Sequence, residues 1–183
     1  MKSGEAPLRA DAQRNRAAIL VAAASTFAER GPAATTEEVA TRAGVAVGTV
    51  FRHFPTKDAL LAAIMKQSLL RLSEQGAGLD DPASALFDFI TLVVDEAAST
   101  RTVVEALARQ GVDVEIGSAV QALQDTTAAL LLQAQQADAV RPDVQVDEVM
   151  ALLTATSQGA LHAAWDPGLR RRTLAIVFTG LKP

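Results

Sequence analysis

Residues 35–61 read TTEEVATRAGVAVGTVFRHFPTKDALL, and this stretch decides the fold. Thr35 and Glu38 stand in capping-box relation, each side chain placed to bond the other's backbone N–H, so a helix begins here. Val39, Ala40 and Ala43 recur at helical spacing, and Gly44 supplies the backbone freedom for a turn. Only Gly44-Val45-Ala46 separates this short helix from the next, which runs from Val47 to about Phe54. Pro55 then breaks the chain, and Thr56 is placed to cap a longer helix from Lys57 to about Glu74. Two short helices joined by a tight glycine-containing turn are the sequence form of a helix-turn-helix. Its expected core is Val39, Ala40, Ala43, Val45, Val50 and Phe54.

Upstream, Ile19, Leu20, Ala23, Ala24 and Phe27 give a helix from about Leu8 or Ala10 to Glu29, stopped by Gly31-Pro32. Downstream, Gly76, Gly78 and Asp80-Asp81-Pro82 read as a loop. Further helices are expected at Pro82–Ser99, Thr100–Gln110, Glu115–Asp138, Asp147–Ala164 and Leu169–Leu181. That makes nine helices and no strand. Alanine, the best helix former, occupies 37 of 183 positions, and aromatics make up only 4%. The fold class is all-α, with a helix-turn-helix domain over residues 9–56 and a helical domain over 57–183.

Cysteine is absent, which excludes disulfides, thiolate nucleophiles and thiolate metal sites. His53 and His162 lie too far apart in sequence to suggest a metal cluster, and no metal or cofactor is expected. No phosphate loop, dinucleotide fingerprint, nucleophile elbow or zinc-protease motif occurs, so an enzyme is not expected. The first fifteen residues carry no apolar run, and the longest apolar stretches fall short of the roughly 20 residues that span a bilayer. A cytoplasmic location is the expectation. The net charge of −4 is unevenly spread. Residues 1–57 carry eight basic and five acidic side chains, residues 58–183 nine basic and sixteen acidic. A positive head on an acidic body is the asymmetry expected of a protein whose head meets a polyanion.

The 35–61 segment resembles the DNA-binding signature of the TetR family of transcriptional regulators. The likeness rests on the Thr35-Thr36 pair, Val39-Ala40, Ala43-Gly44-Val45, Gly48-Thr49, the cluster Phe51-Arg52-His53-Phe54, and Lys57 with Leu60. It implies a regulator, a repressor by the family's commoner habit, that binds a palindromic operator on double-stranded DNA as a homodimer and is released by a small-molecule effector. Thr36 and Glu37 would then lie near backbone and bases, and Val47, Gly48 and Thr49 would face the major groove. Phe51, Arg52 and His53 would approach flanking phosphates, and Lys57 would clamp one. Plainer roles stand beside these: Phe51 as partial core, His53 as a surface histidine, Glu37 as a helix-terminus charge. Ala46 stands where the family commonly has a capping Ser, and Phe51 where Tyr is usual. The rival reading is a helical protein-interaction module that no longer binds DNA.

The resemblance also implies a ligand pocket in the body, for which Leu69, Phe89, Val93, Leu123, Thr127, Thr154 and Gln158 are candidates. Threonines in such helices can instead bond the preceding turn. The helix at 147–164 is apolar nearly all round, so it must be buried on more than one side. Ala151, Ala155, Gly159 and Ala163 recur four apart, which permits close helix approach. With the family's four-helix dimer in mind, Met150, Leu153, Leu161, Trp165, Leu174 and Phe178 are the expected interface; a purely intramolecular core is the alternative.

Overall fold

The structure is a computed structural model that describes residues 5–100, 116–163 and 165–183. Among them are eight α-helices, one 3-10 turn at Gly31–Ala33 and no strand. The helices are α1 (Glu5–Arg30), α2 (Thr36–Ala43), α3 (Val47–His53), α4 (Lys57–Ala77), α5 (Ala85–Ser99), α6 (Gly117–Gln136), α7 (Val146–His162) and α8 (Pro167–Leu181). The helix expected at 100–110 lies outside the described residues.

The local signals act as physical chemistry requires. Thr35 accepts from the Glu38 N–H at 3.2 Å while its own N–H donates to Glu38 Oε2 at 3.0 Å, completing the capping box. Gly44 adopts the left-handed φ of +67°, and the Val45 N–H turns back to the Ala40 carbonyl at 3.0 Å. Thr56 Oγ1 accepts from the Ala59 N–H at 3.0 Å at the start of α4. Asp166 opens α8, accepting from the N–H groups of Gly168 and Leu169 at 2.7 and 3.0 Å, and those bonds hold its carboxyl below the usual range.

The chain divides into two compact units, and one boundary between them falls within α4 between Lys66 and Gln67. In the first, Ile19, Ala23 and Phe27 of α1 meet Val39 and Ala40 of α2, Val50 of α3, and Leu60, Leu61 and Ile64 of α4. The core of the head therefore takes in the opening turns of α4, beyond the limit at residue 56 that Pro55 marks in the sequence. In the second unit, α5 lies at the centre of the packing, with Leu86, Phe89, Ile90 and Val94 meeting Leu130 and Leu131 of α6, Val149 and Leu153 of α7 and Leu174 of α8.

Three expectations about this second unit change. Gly76 belongs to α4 and not to a loop. A Cβ there would lie 2.6 Å from the Phe89 ring and 2.8 Å from Thr126 Cγ2, so the absence of a side chain is what lets α4, α5 and α6 approach. Residues 82–84 form a turn and not the first turn of a helix, because the Asp81 carboxylate takes the Ala83 N–H at 3.1 Å. Finally, Leu153, Leu161 and Leu174 are buried within the chain itself, and Met150, Trp165 and Phe178 pack half-buried against the same core. The Trp165 ring covers Gly159, where a Cβ would come within 2.6 Å of it. The apolar stripe that suggested an interface is largely consumed by α5. Beyond its acidic first turn, α7 exposes Ala151, Thr154, Ala155, Gln158 and His162, and the exposed residues of α8 include Arg171, Arg172, Ala175, Thr179 and Ile176, the last 75% accessible.

Candidate DNA-binding site

The periodicity of α3 sorts its residues into faces. Val50 is fully buried, and Phe54, the residue that follows the helix, is buried beside it, so that side of the rod is committed to the head core. Gly48, Phe51 and Arg52, at i, i+3 and i+4, are the exposed face, with Phe51 44% accessible. Thr49 and His53 are half-buried along one flank. Val47 lies on the other flank and packs against the core, so it presents less of itself to a groove than the sequence reading gave it. Nothing lies within 4 Å of a Cβ built on Gly48, which leaves its backbone open to close approach. No side chain caps the first turn, as Ala46 requires.

Thr36 is half-buried and Glu37 exposed in the first turn of α2, so both stand at the end of α2 remote from the Gly44 turn. Arg16 of α1 places its guanidinium 5.2 Å from the centre of the Phe54 ring, while Arg14 pairs with Asp11 one turn away. Lys57 is half-buried. Its Nζ donates to the Ala34 carbonyl at 2.8 Å and lies 5.3 Å from the centre of the Phe27 ring.

A pair of ion bridges fastens α2 to α1, and sequence reading missed both. Arg42 donates to the two carboxylate oxygens of Glu29 at 2.8 and 2.5 Å, and Arg30 approaches Glu38 at 2.9 Å. The Arg42 hydrogen bonds hold the Glu29 carboxyl below its ordinary range and raise the guanidinium further. The partners sit thirteen residues apart on separate helices, and no local pattern pairs them. A carboxyl with a lowered folded-state pKa stabilises the folded state at pH above its unfolded value and loses that contribution as pH falls through the folded one. Acid-induced loosening of the wild-type head should therefore include a Glu29-dependent part below the ordinary carboxylate range. Glu29→Gln should melt lower than wild type at pH 7 and converge on it in acid, as read by circular-dichroism melts across pH.

Among the body candidates, Phe89, Val93, Leu123 and Thr127 are brought together in the interior, with Leu69 half-buried against the same core. The Thr127 hydroxyl donates to the Leu123 carbonyl at 2.8 Å, the in-helix bond that satisfies it. Thr154 and Gln158 do not join them: both are exposed, and Thr154 bonds the Met150 carbonyl at 2.8 Å. They sit four apart on the outward side of α7, the inward side being taken by Val149 and Leu153.

A short buried-core helix, a left-handed glycine turn and a second helix with one open face form a helix-turn-helix. Residues 19–64 match the family model described as bacterial regulatory proteins, tetR family. Residues 81–183 match that of the transcriptional regulator SbtR-like C-terminal domain. The chain belongs to the TetR family of transcriptional regulators. Among solved TetR structures, it is similar to a TetR transcription regulatory protein from Mycobacterium vanbaalenii. The two are 37% identical over 97% of this chain and 100% of that one, with a TM-score of 0.76. It is also similar to the TetR regulator SCO0520 of Streptomyces coelicolor, 30% identical over 92% and 98% of the two chains, TM-score 0.71. The HTH-type transcriptional repressor Rv3405c of Mycobacterium tuberculosis shares 58% identity over 50 residues. That match spans 27% of this chain and 27% of the repressor's own length. No helix among the described residues of this TetR-family chain is long and apolar enough to cross a membrane.

Proposed function

We propose that this TetR-family regulator is a repressor that binds a palindromic operator as a homodimer and is released by an apolar or weakly polar small molecule. The observation that carries the reading is the open face of α3, where Gly48, Phe51 and Arg52 stand clear of the head core beside Thr49 and His53. Gly48 lets the backbone approach base edges, Thr49 can hydrogen-bond them, and Arg52 and His53 reach phosphates. Thr36 and Glu37 would meet the DNA beside them, and Val47 would add only the edge of its methyl groups. The name of the Mycobacterium tuberculosis relative supports repression. A regulator acting on DNA in this way would work in the cytoplasm.

A palindrome requires two heads about one helical turn, roughly 34 Å, apart. The surface that supports pairing is the outward side of α7 and α8: Ala151, Thr154, Ala155, Gln158 and Ile176. Its small residues allow close helix approach, and Ile176 is an apolar side chain that a second copy would bury. Ile176→Glu should shift the protein from dimer to monomer in sedimentation at micromolar concentration without lowering the melting temperature of the body. Leu174, two residues away and 2% exposed, serves the chain's own core. The effector would be taken by the body, near Leu69, Phe89, Val93, Leu123 and Thr127, whose sparse charge favours an apolar molecule.

Selection of duplexes from a random pool by the full-length protein tests the reading. It should recover an inverted repeat with half-sites one helical turn apart, bound less tightly as salt rises. Failure to enrich any sequence at low ionic strength would overturn it.

A further inference from the structure

Among the described side chains of α1 the first buried ones are Ile19 and Leu20, and residues 11–18 are all exposed. Two arginines stand on this projecting end of the helix, in different surroundings. Arg14 pairs with Asp11, three residues back on the same helix. Arg16 has no acidic partner among the described residues, and its guanidinium lies over the Phe54 ring, 5.2 Å from the centre. Phe54 is 4% exposed and directly follows α3, and its ring stands 6.3 Å from that of His53. The Phe54 ring thereby holds a cation of α1 at the C-terminal end of the helix that carries the open face.

The same contrast divides the other described arginines of the head. Arg30 and Arg42 are neutralised by Glu38 and Glu29. Arg52, exposed in the last turn of α3, meets no acid among the described residues. Both unneutralised guanidinium groups therefore belong to the C-terminal end of α3, beside His53. Stacking on an aromatic ring uses the plane of a guanidinium and leaves the N–H groups along its edge to donate. Those donors match the oxygens of a phosphate, and a side chain already held by the ring loses less freedom when the contact forms. A helix in the major groove turns its N-terminal residues toward base edges, so its other end lies toward the sugar-phosphate wall.

We propose that Arg16 is a phosphate-contact residue of the operator complex and carries the positive rim of α3 across to α1. The inference rests on the DNA-binding reading above and adds a residue outside the helix-turn-helix to it. An arginine that only covered Phe54 would weaken binding by the same factor at every salt concentration, because no counterion would be released on its account. A phosphate contact changes the salt dependence itself.

The probe is the best duplex recovered by selection, titrated with full-length protein across a salt series. Arg16→Gln should lower the slope of log affinity against log salt by about 0.9 in magnitude, with affinity down about fivefold near 0.15 M and the difference vanishing near 1 M. Arg16→Lys, which keeps the charge, should retain the full slope. Arg14→Gln, whose charge Asp11 already offsets, should leave the slope as it is. An unaltered slope in Arg16→Gln would overturn the inference, and so would an equal fall in Arg14→Gln, since the slope would then follow net charge and not a contact. If selection recovers no duplex, the DNA-binding reading falls and this inference with it; a bound duplex whose salt dependence ignores Arg16 overturns the inference alone.

Discussion

Gly48→Glu is expected to abolish operator binding, with affinity lost by at least about 100-fold, roughly 3 kcal/mol, while the protein melts no lower than wild type. The two halves of that result come from separate facts. Gly48 is exposed on the outward face of α3, and no atom lies within 4 Å of where its Cβ would stand, so the new side chain meets nothing in the folded chain. Its φ lies outside the left-handed region, and a helical glycine replaced by another residue gains roughly 0.5–1 kcal/mol. A carboxylate near the N-terminus of α3 is also favourable to the helix electrostatically. Against DNA the same carboxylate fills the closest approach and faces phosphates of like charge. Electrophoretic shift and a thermal melt on one preparation read both. A variant that still binds within a few-fold of wild type would place the groove-facing side elsewhere than Gly48, Phe51 and Arg52.

The largest loss of stability is expected from Phe89→Ala, by about 3–5 kcal/mol. Phe89 is fully buried on α5 and its ring fills the space that Gly76 of α4 leaves open, beside Thr126 of α6. Truncation therefore empties the meeting point of three helices, and none of them can close the gap without moving its backbone. The melting temperature of the body should fall by about 10 °C or more. A pairing of Phe89→Ala with Gly76→Ala should recover only part of the loss, since one methyl group replaces a ring. A fall of less than about 1 kcal/mol in a denaturant titration would contradict the close packing at Gly76.

The helix-turn-helix was legible because its signals are short-range. The capping box joins residues three apart, the left-handed turn is a property of Gly44 alone, and Thr56 caps a residue three further on. Hydrophobic spacing likewise picked out Val39, Ala40, Val50 and Phe54, all of which the structure buries. The body was legible as helices and less so as packing. Spacing showed that the helix expected at Asp147–Ala164 is apolar on several sides, but a stripe does not state which partner covers it. The chain's own core takes Leu153 and Leu161, leaving Ala151, Thr154, Ala155 and Gln158 outside. Gly76 was read as a loop residue for the same reason: a glycine signals either a break or a close approach, and only the Phe89 ring thirteen residues on distinguishes them.

Sequence by itself determined that this protein is a helical TetR-like regulator and where its helix-turn-helix lies. Those features are set by hydrogen bonds and side-chain spacing within one or two turns of chain. The tertiary structure alone decided that Lys57 turns to Ala34, that Arg42 grips Glu29 and that Leu174 faces inward while Ile176 faces out. Each of these is a choice among partners distant in sequence or among neighbouring apolar residues of similar character, and it is made by the packing of whole helices.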